Sequence, residues 1–370
     1  MIIKNANVFL LDRFEKADIK LEGDRIVGVG HFEGDGIDAE GLYAVPGFVD
    51  IHIHGADDYD FCDATVEGLG RMARYLGKKG VTSFLATSLT VGEDTLMAGC
   101  RAVRAFRELE PEPGAAVLRG INMEGPYINP AKKGAQPLEF VVRPDYEQFR
   151  RLNEASGGVI KLCDIAPEVE GSKEFMEKAR GETVISIAHT AANYDQAVEA
   201  LHNGATHITH LYNAMNGLGH REPGVVGAAA DYAEYAELIT DGLHVHPAAV
   251  RAAFKLLGYK RICIISDALR AMGMADGAYE LGGHTIIVKD GLARLTDGTI
   301  AGGCNPVSEN VRRAISFGID PVEAIYSGTV SPAKSVGLFD EVGSIEPGKR
   351  ADIVLMNPDF TVERVIIGGK

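Results

Sequence analysis

The sequence predicts an α/β protein: a (β/α)8 TIM-like barrel with a small β-sandwich domain formed by both chain ends. Three observations carry this expectation. The middle of the chain alternates strand and helix eight times, which favours a closed parallel barrel over an open sheet. Both ends read as short strands punctuated by Pro and Gly, unlike the middle. The length, 370 residues, suits one barrel with an appendage.

At the N-terminus, Ile2 to Leu10 and Asp18 to Val29 are expected strands, the second region folding around Glu22-Gly23-Asp24. At the C-terminus, the turn-rich Gly343 to Arg350 precedes expected strands at Ala351 to Leu355 and Val362 to Ile367. Neither end carries catalytic residues. The simplest packing joins residues 1–45 and 338–370 into one small β domain, with residues 46–337 forming the barrel.

The eight barrel strands are expected at Gly47–Ile53, Thr82–Ser88, Val117–Met123, Ile160–Ala166, Val184–Ala188, Thr206–Leu211, Glu237–Thr240 and Arg261–Ser266. From the second onward they are mostly continuous apolar runs, as strands buried on both faces should be. Helical stretches between them include Val66–Lys79, Thr95–Leu109, Tyr194–Asn203 and Pro247–Leu257. Residues Ala301-Gly302-Gly303-Cys304 are expected in a loop.

Composition narrows the function classes. Apolar residues make up 46 % and charged residues 24 %, which excludes wholesale disorder. A formal net charge of -15 repels a phosphodiester backbone, so no nucleic-acid partner is expected. A small phosphorylated ligand stays possible, because a local cationic pocket can exist on an acidic protein. No apolar run approaches the ~18 residues that span a bilayer, so no membrane partner is expected. The start, Met1-Ile2-Ile3-Lys4-Asn5, lacks a secretory signal pattern. The five cysteines are scattered and include no C-x-x-C pair, which reads as reduced cytosolic thiols.

Chemistry gathers at the expected strand ends. The first strand ends in Asp50-Ile51-His52-Ile53-His54, which puts both imidazoles on one face. Two imidazoles at that spacing suit one divalent cation, although H-x-H alone is a weak signal. Other apolar runs terminate in Glu124, His189, His210 and Asp267. One such group at one strand end fits a satisfied core residue. Four of them with H-x-H at one barrel mouth do not, because desolvating so many ionisable groups is costly without a cation. His244, just past the seventh strand, is a candidate substrate contact. His31, His202, His220 and His284 are read as helix or loop residues facing solvent. His207 is read as a structural residue at the far end of its strand, and His246 as the start of a helix before Pro247.

The set His52, His54, Glu124, His189, His210 and Asp267 resembles the amidohydrolase superfamily. More narrowly, Met123-Glu124-Gly125-Pro126-Tyr127, His210 to Met215, Arg221-Glu222-Pro223-Gly224 and Asp241-Gly242-Leu243-His244 resemble the N-acetylglucosamine-6-phosphate deacetylase family. The likeness runs from about Ile2 to the chain end. It implies a principal metal site at Glu124, His189 and His210, and a second at His52 and His54, with Glu124 and Asp267 as shared ligands. The implied cofactor is a divalent metal, zinc or iron, one or two per subunit. The implied reaction is hydrolysis of the N-acetyl group of an amino-sugar phosphate by metal-activated hydroxide, with Asp267 as general base and then general acid.

The resemblance also implies substrate contacts. Asn213 and the backbone of Ala214 match phosphate-holding positions, and His244 matches a sugar-pocket histidine. Arg221 matches an arginine that reaches the neighbouring site of a cytoplasmic homodimer; a guanidinium fork suits phosphate oxygens. Two residues depart from the family pattern. Gln136 stands where some members use a histidine against the amide carbonyl, and glycine stands near Cys304 where many relatives have serine. An N-acetylgalactosamine-6-phosphate deacetylase, or another amidohydrolase acting on a phosphorylated or cyclic amide, fits the same residues. A non-catalytic barrel does not, because every ligand and the proton carrier are present.

Overall fold

A computed structural model describes all residues 1–370. Eight parallel strands form the barrel sheet: β1 (Phe48–Ile53), β2 (Val81–Thr87), β3 (Val117–Met123), β4 (Ile160–Ile165), β5 (Val184–Ile187), β6 (Ala205–Ile208), β7 (Tyr235–Ile239) and β8 (Ile262–Ile265). They lie side by side in chain order. The β8 end of the sheet returns to β1, where the Asp267 N–H donates to His52 O at 2.9 Å and the His54 N–H to Ala268 O at 2.9 Å. The barrel therefore closes at residues that carry chemistry.

The observed strands stop earlier than their apolar runs. β6 ends at Ile208 rather than Leu211, and β8 at Ile265 rather than Ser266. The residues that follow turn out of the ladder: His189, His210 and Asp267 have φ of 42°, 27° and 46°. Left-handed backbone cannot continue a strand, so the chain bends where these side chains must face the barrel mouth.

Helices pack around the sheet by stripe and cap. In Val66–Lys78 the buried positions Leu69, Met72, Ala73 and Leu76 follow the helical period. Thr65 caps its start by accepting the Gly68 N–H. Asn193 and Gln196 form a capping box for Tyr194–His202. His246 caps Pro247–Leu257, with Pro247 in the first turn, where its missing N–H costs nothing.

Both chain ends build one seven-stranded sheet. Its order is Val362–Ile366, Ile353–Met356, Tyr43–Pro46, Ile2–Phe9, Phe14–Glu22 and Arg25–Gly30, with Ile37–Asp38 beside Ile2–Phe9. Its own apolar cluster includes Ile3, Ile19, Leu21, Ile26, Ile353 and Leu355. Gly47 links this sheet to β1 through a tight crossing: a Cβ there would sit 2.0 Å from Thr82 Oγ1.

One element departs from the sequence expectation. Between β8 and the helix Val307–Ser316 lies a four-stranded antiparallel meander: Gly277–Leu281, His284–Lys289, Leu292–Leu295 and Ile300–Gly303. Ala301 to Gly303 therefore lies in a strand rather than a loop, and His284 begins a strand rather than lying in a loop or helix. The turn signals were present, since Gly282-Gly283 and Asp290-Gly291 both sit between β-prone runs. No helix is long and apolar enough to cross a membrane.

Candidate metal centre

Six side chains converge just beyond the C-terminal ends of β1, β3, β5, β6 and β8. His52 lies on β1 and His54 just past it. Their rings face the same space, with centroids 5.3 Å apart. Glu124 follows β3 directly, while His189, His210 and Asp267 follow β5, β6 and β8 after the left-handed turns. Strained backbone at three such positions is tolerated only where the surrounding structure imposes it, as it does at functional sites.

Glu124 is the hub. Its Oε1 lies 3.1 Å from His210 Nε2, 3.2 Å from His189 Nε2 and 3.4 Å from His52 Nε2. Its Oε2 lies 3.3 Å from His54 Nε2. Asp267 Oδ1 stands 3.3 Å from His54 Nε2 and 3.5 Å from His52 Nε2. Two ligand groups result, His52/His54/Glu124 and Glu124/His189/His210, each with its donor atoms within 4.8 Å of one another.

The donor atoms fit a divalent cation. His189 Nδ1 is 2.8 Å from Lys132 O, and His52 Nδ1 is 2.9 Å from Glu237 Oε2. Each Nδ1 must carry a proton to serve those acceptors, so in the neutral ring each Nε2 presents a lone pair towards Glu124. His189 Nε2 and His210 Nε2 also face each other at 3.2 Å. Lone pairs so close to carboxylate oxygens call for positive charge between them. Proton affinities agree. Burial lowers the His54 pKa, but hydrogen bonds to Asp267 and Glu124 outweigh it and raise it to about 9. Burial opposes the charge of Glu124, but the imidazoles around it, His52 first, hold its carboxyl well below the usual range. A divalent cation would supply that charge by displacing protons.

Asp267 differs from the ligands in its exposure. Its side chain is 12 % exposed, against 3 % for Glu124. Burial pushes its pKa up, but the hydrogen bond from His54 and the charges of His52 and His54 hold it below the usual value. An ionised carboxylate at the edge of the cluster is ready to accept a proton.

A cavity of about 270 Å³ opens above these groups. Its lining includes Gln136, Asn213, Ala214 and His244, together with Leu281, Thr299, Ile300 and Ala301 from the antiparallel meander. That meander forms one wall, which the sequence reading did not see. His244 Nδ1 lies 2.7 Å from Asp241 Oδ2, and its Nε2 is buried without a protein partner. Burial opposes charging of His244, but the Asp241 bond and charge raise its pKa. The Gln136 amide is oriented from both sides: Oε1 accepts the Thr90 N–H at 2.7 Å, and Nε2 donates to Glu124 Oε2 at 2.5 Å. One N–H of Gln136 is left for a ligand. Arg221 is exposed and does not line this cavity.

Residues 43–370 match the Amidohydrolase family. The chain belongs to the amidohydrolase family. An N-acetylglucosamine-6-phosphate deacetylase of Bacillus subtilis (strain 168) is 38 % identical over 330 residues, covering 88 % of this chain and 83 % of the relative. An N-acetylgalactosamine-6-phosphate deacetylase of Escherichia coli O157:H7 is 36 % identical over 328 residues, covering 88 % of this chain and 86 % of the relative. Among solved structures, a mutant N-acetyl-D-glucosamine-6-phosphate deacetylase of Mycobacterium smegmatis, in complex with N-acetyl-D-glucosamine-6-phosphate, superposes with a TM-score of 0.93 at 30 % identity. That match covers 100 % of this chain and 98 % of the other.

Beneath the cluster of this amidohydrolase, the structure brings in residues that sequence reasoning missed. Glu237, fully buried on β7, bonds His52, and its Oε1 stands 3.5 Å from His207 Nε2. His207 is thus two contacts from a ligand, not at the far end of the barrel. Asp164 on β4 accepts from Thr209 Oγ1 at 2.7 Å and is also fully buried. The available signal was a lone acid inside each apolar strand, Ala236-Glu237-Leu238 and Cys163-Asp164-Ile165.

Proposed function

We propose that this amidohydrolase removes the N-acetyl group of N-acetylglucosamine-6-phosphate, giving glucosamine-6-phosphate and acetate. The observation that carries the reading is the pair of ligand groups sharing Glu124 at the floor of a sugar-sized cavity, with Asp267 beside them. The names of the similar proteins from Bacillus subtilis and Mycobacterium smegmatis support the substrate. Glu124, His189 and His210 would hold one divalent cation, and His52, His54 and Glu124 a second, with Asp267 at its edge. Zinc or iron suits this mixture of imidazole and carboxylate. When bound, the cation lowers the pKa of a water towards about 7 and withdraws electron density from the amide oxygen.

The side chains then divide the work. Asp267 takes the proton of the attacking water as the new C–O bond forms at the acetyl carbon. It returns that proton to the nitrogen as the C–N bond breaks, so the amine departs neutral. The free N–H of Gln136 donates towards the amide oxygen, and His244 Nε2 towards the sugar. Asn213 and the backbone of Ala214 hold the phosphate.

No lysine or arginine of the chain lines the cavity, although the substrate carries a dianion. An exposed Arg221 supports a homodimer in which this guanidinium reaches the neighbour's phosphate. A cytoplasmic location belongs to the same proposal. So does the division into a small domain (1–45 with 338–370) and a barrel domain (46–337).

The Escherichia coli relative favours a second reading, the galactosamine epimer. Acetate release by cation-reconstituted protein separates the two, with both 6-phosphates assayed beside unphosphorylated N-acetylglucosamine. The proposal expects preference for N-acetylglucosamine-6-phosphate. Preference for the epimer moves the substrate and keeps the chemistry, whereas activity on neither refutes the deacetylase reading.

A further inference from the structure

Glu237 is a carboxylate with no exposed surface, on the interior of the barrel. Burying such a group without good partners is costly, so what it touches is informative. One of its oxygens serves two masters. Oε2 lies 2.9 Å from His52 Nδ1 and accepts the backbone N–H of His210 at 3.1 Å. His52 belongs to one ligand group and His210 to the other. The two groups are thus joined from above through Glu124 and from below through a single oxygen of Glu237.

Each contact has a definite effect. Accepting the Nδ1 proton fixes the His52 tautomer, so its Nε2 faces Glu124 and Asp267 at 3.4 and 3.5 Å. Without an acceptor below, the ring is free to place its proton on Nε2, where it would exclude a cation. Holding the His210 N–H pins a residue whose φ of 27° is strained for a side chain with a Cβ. The second contact is to the backbone and survives some motion. The first controls which ring atom is a donor and does not.

We infer that Glu237 is a positioning residue that ties the two ligand groups together and sets how tightly the His52/His54 group holds its cation. This inference rests on the reading that both groups hold divalent cations. Glu237 lies outside both groups yet governs occupancy of the second.

The test is zinc titration of the full chain after chelator stripping, by calorimetry against a competing chelator. Circular dichroism and thermal melting check the fold of each variant. The wild type is expected to take up two equivalents. In E237L, which keeps the bulk and removes the acceptor, the affinity of one equivalent should fall about 10–100-fold while the other changes far less. In E237Q, which keeps the shape and leaves a neutral acceptor, the same equivalent should weaken about tenfold. H52A, losing that equivalent altogether, identifies it. Weakening of one equivalent while the other keeps its affinity, in a variant that still folds and melts cooperatively, is not what general loosening produces. Two equivalents bound with wild-type affinity by folded E237L and E237Q overturn the inference. Should E237L fail to fold, wild-type zinc binding by E237Q alone does so. A wild type that binds fewer than two equivalents overturns the underlying reading as well, and that result is visible before any variant is made.

Discussion

Replacing Asp267 with asparagine separates proton transfer from everything else the residue does. The substitution keeps the shape of the side chain. It leaves the backbone closure intact, since the Asp267 N–H still reaches His52 O at 2.9 Å and Asp267 O still accepts the Gly303 N–H at 2.7 Å. The side chain is 12 % exposed, so no bulk water competes freely to replace its proton transfer. A positioned acid–base group contributes about 10²–10⁴ in rate. The expected loss in kcat for D267N is therefore about 3–5 kcal/mol in activation free energy. Removing one negative charge 3.3 Å from His54 Nε2 will also weaken cation binding, so the assay must be run at saturating zinc, with metal content measured on the same sample. Acetate release from N-acetylglucosamine-6-phosphate gives kcat and KM separately. A fully loaded D267N enzyme with kcat within tenfold of wild type would refute the role of Asp267.

Other perturbations test other parts of the molecule. Stripping the cation should lower the melting temperature reversibly, because a ligand present at 1,000 times its Kd stabilises by about 4 kcal/mol. Thermal melts in chelator and after zinc is restored check this, and identical curves contradict the cation reading. Asp18 accepts the backbone N–H groups of Phe32 and Asn5, at 3.0 and 2.9 Å. The Phe32 bond lowers its pKa, burial opposes, and the Asn5 bond lowers it further. A carboxylate depressed in the folded state stabilises above its unfolded pKa, and the effect is lost as pH falls through the folded value. D18N should therefore cost about 1–3 kcal/mol at neutral pH; in melts across the acid range the penalty should begin to shrink below ~4 and be lost only as the pH falls through the lower folded value. Gly68→Ala should destabilise by at least about 1–3 kcal/mol in urea unfolding, because its Cβ would fall 1.7 Å from the Tyr59 ring. That ring has little room to yield, since the Tyr59 hydroxyl bonds the Thr65 backbone from both sides.

The signals legible along the chain were local in origin. Hydrophobic runs and their period located the eight barrel strands, because burial on both faces leaves a continuous apolar signature from Val81–Thr87 to Ile262–Ile265. Ionisable residues at the ends of those runs marked His52, His54, Glu124, His189, His210 and Asp267, because charge is conspicuous against an apolar background. Tertiary structure decided what those residues do to one another. Glu124, at the end of β3, became a shared hub only when the closing barrel brought the imidazoles carried by β1, β5 and β6 within 3.4 Å of its oxygens. Glu237 was only the first residue of an expected strand until the closed barrel carried its carboxylate to His52 on β1, 185 positions away along the chain. The wall formed by the meander was missed for a related reason. Its strands Gly277–Leu281 and His284–Lys289 alternate buried and exposed residues, so they carry no continuous apolar run of the kind that marked the barrel strands. Register, tautomer and strain at left-handed His210 and Asp267 depend on partners far apart in the chain, so they appear only once the barrel has closed.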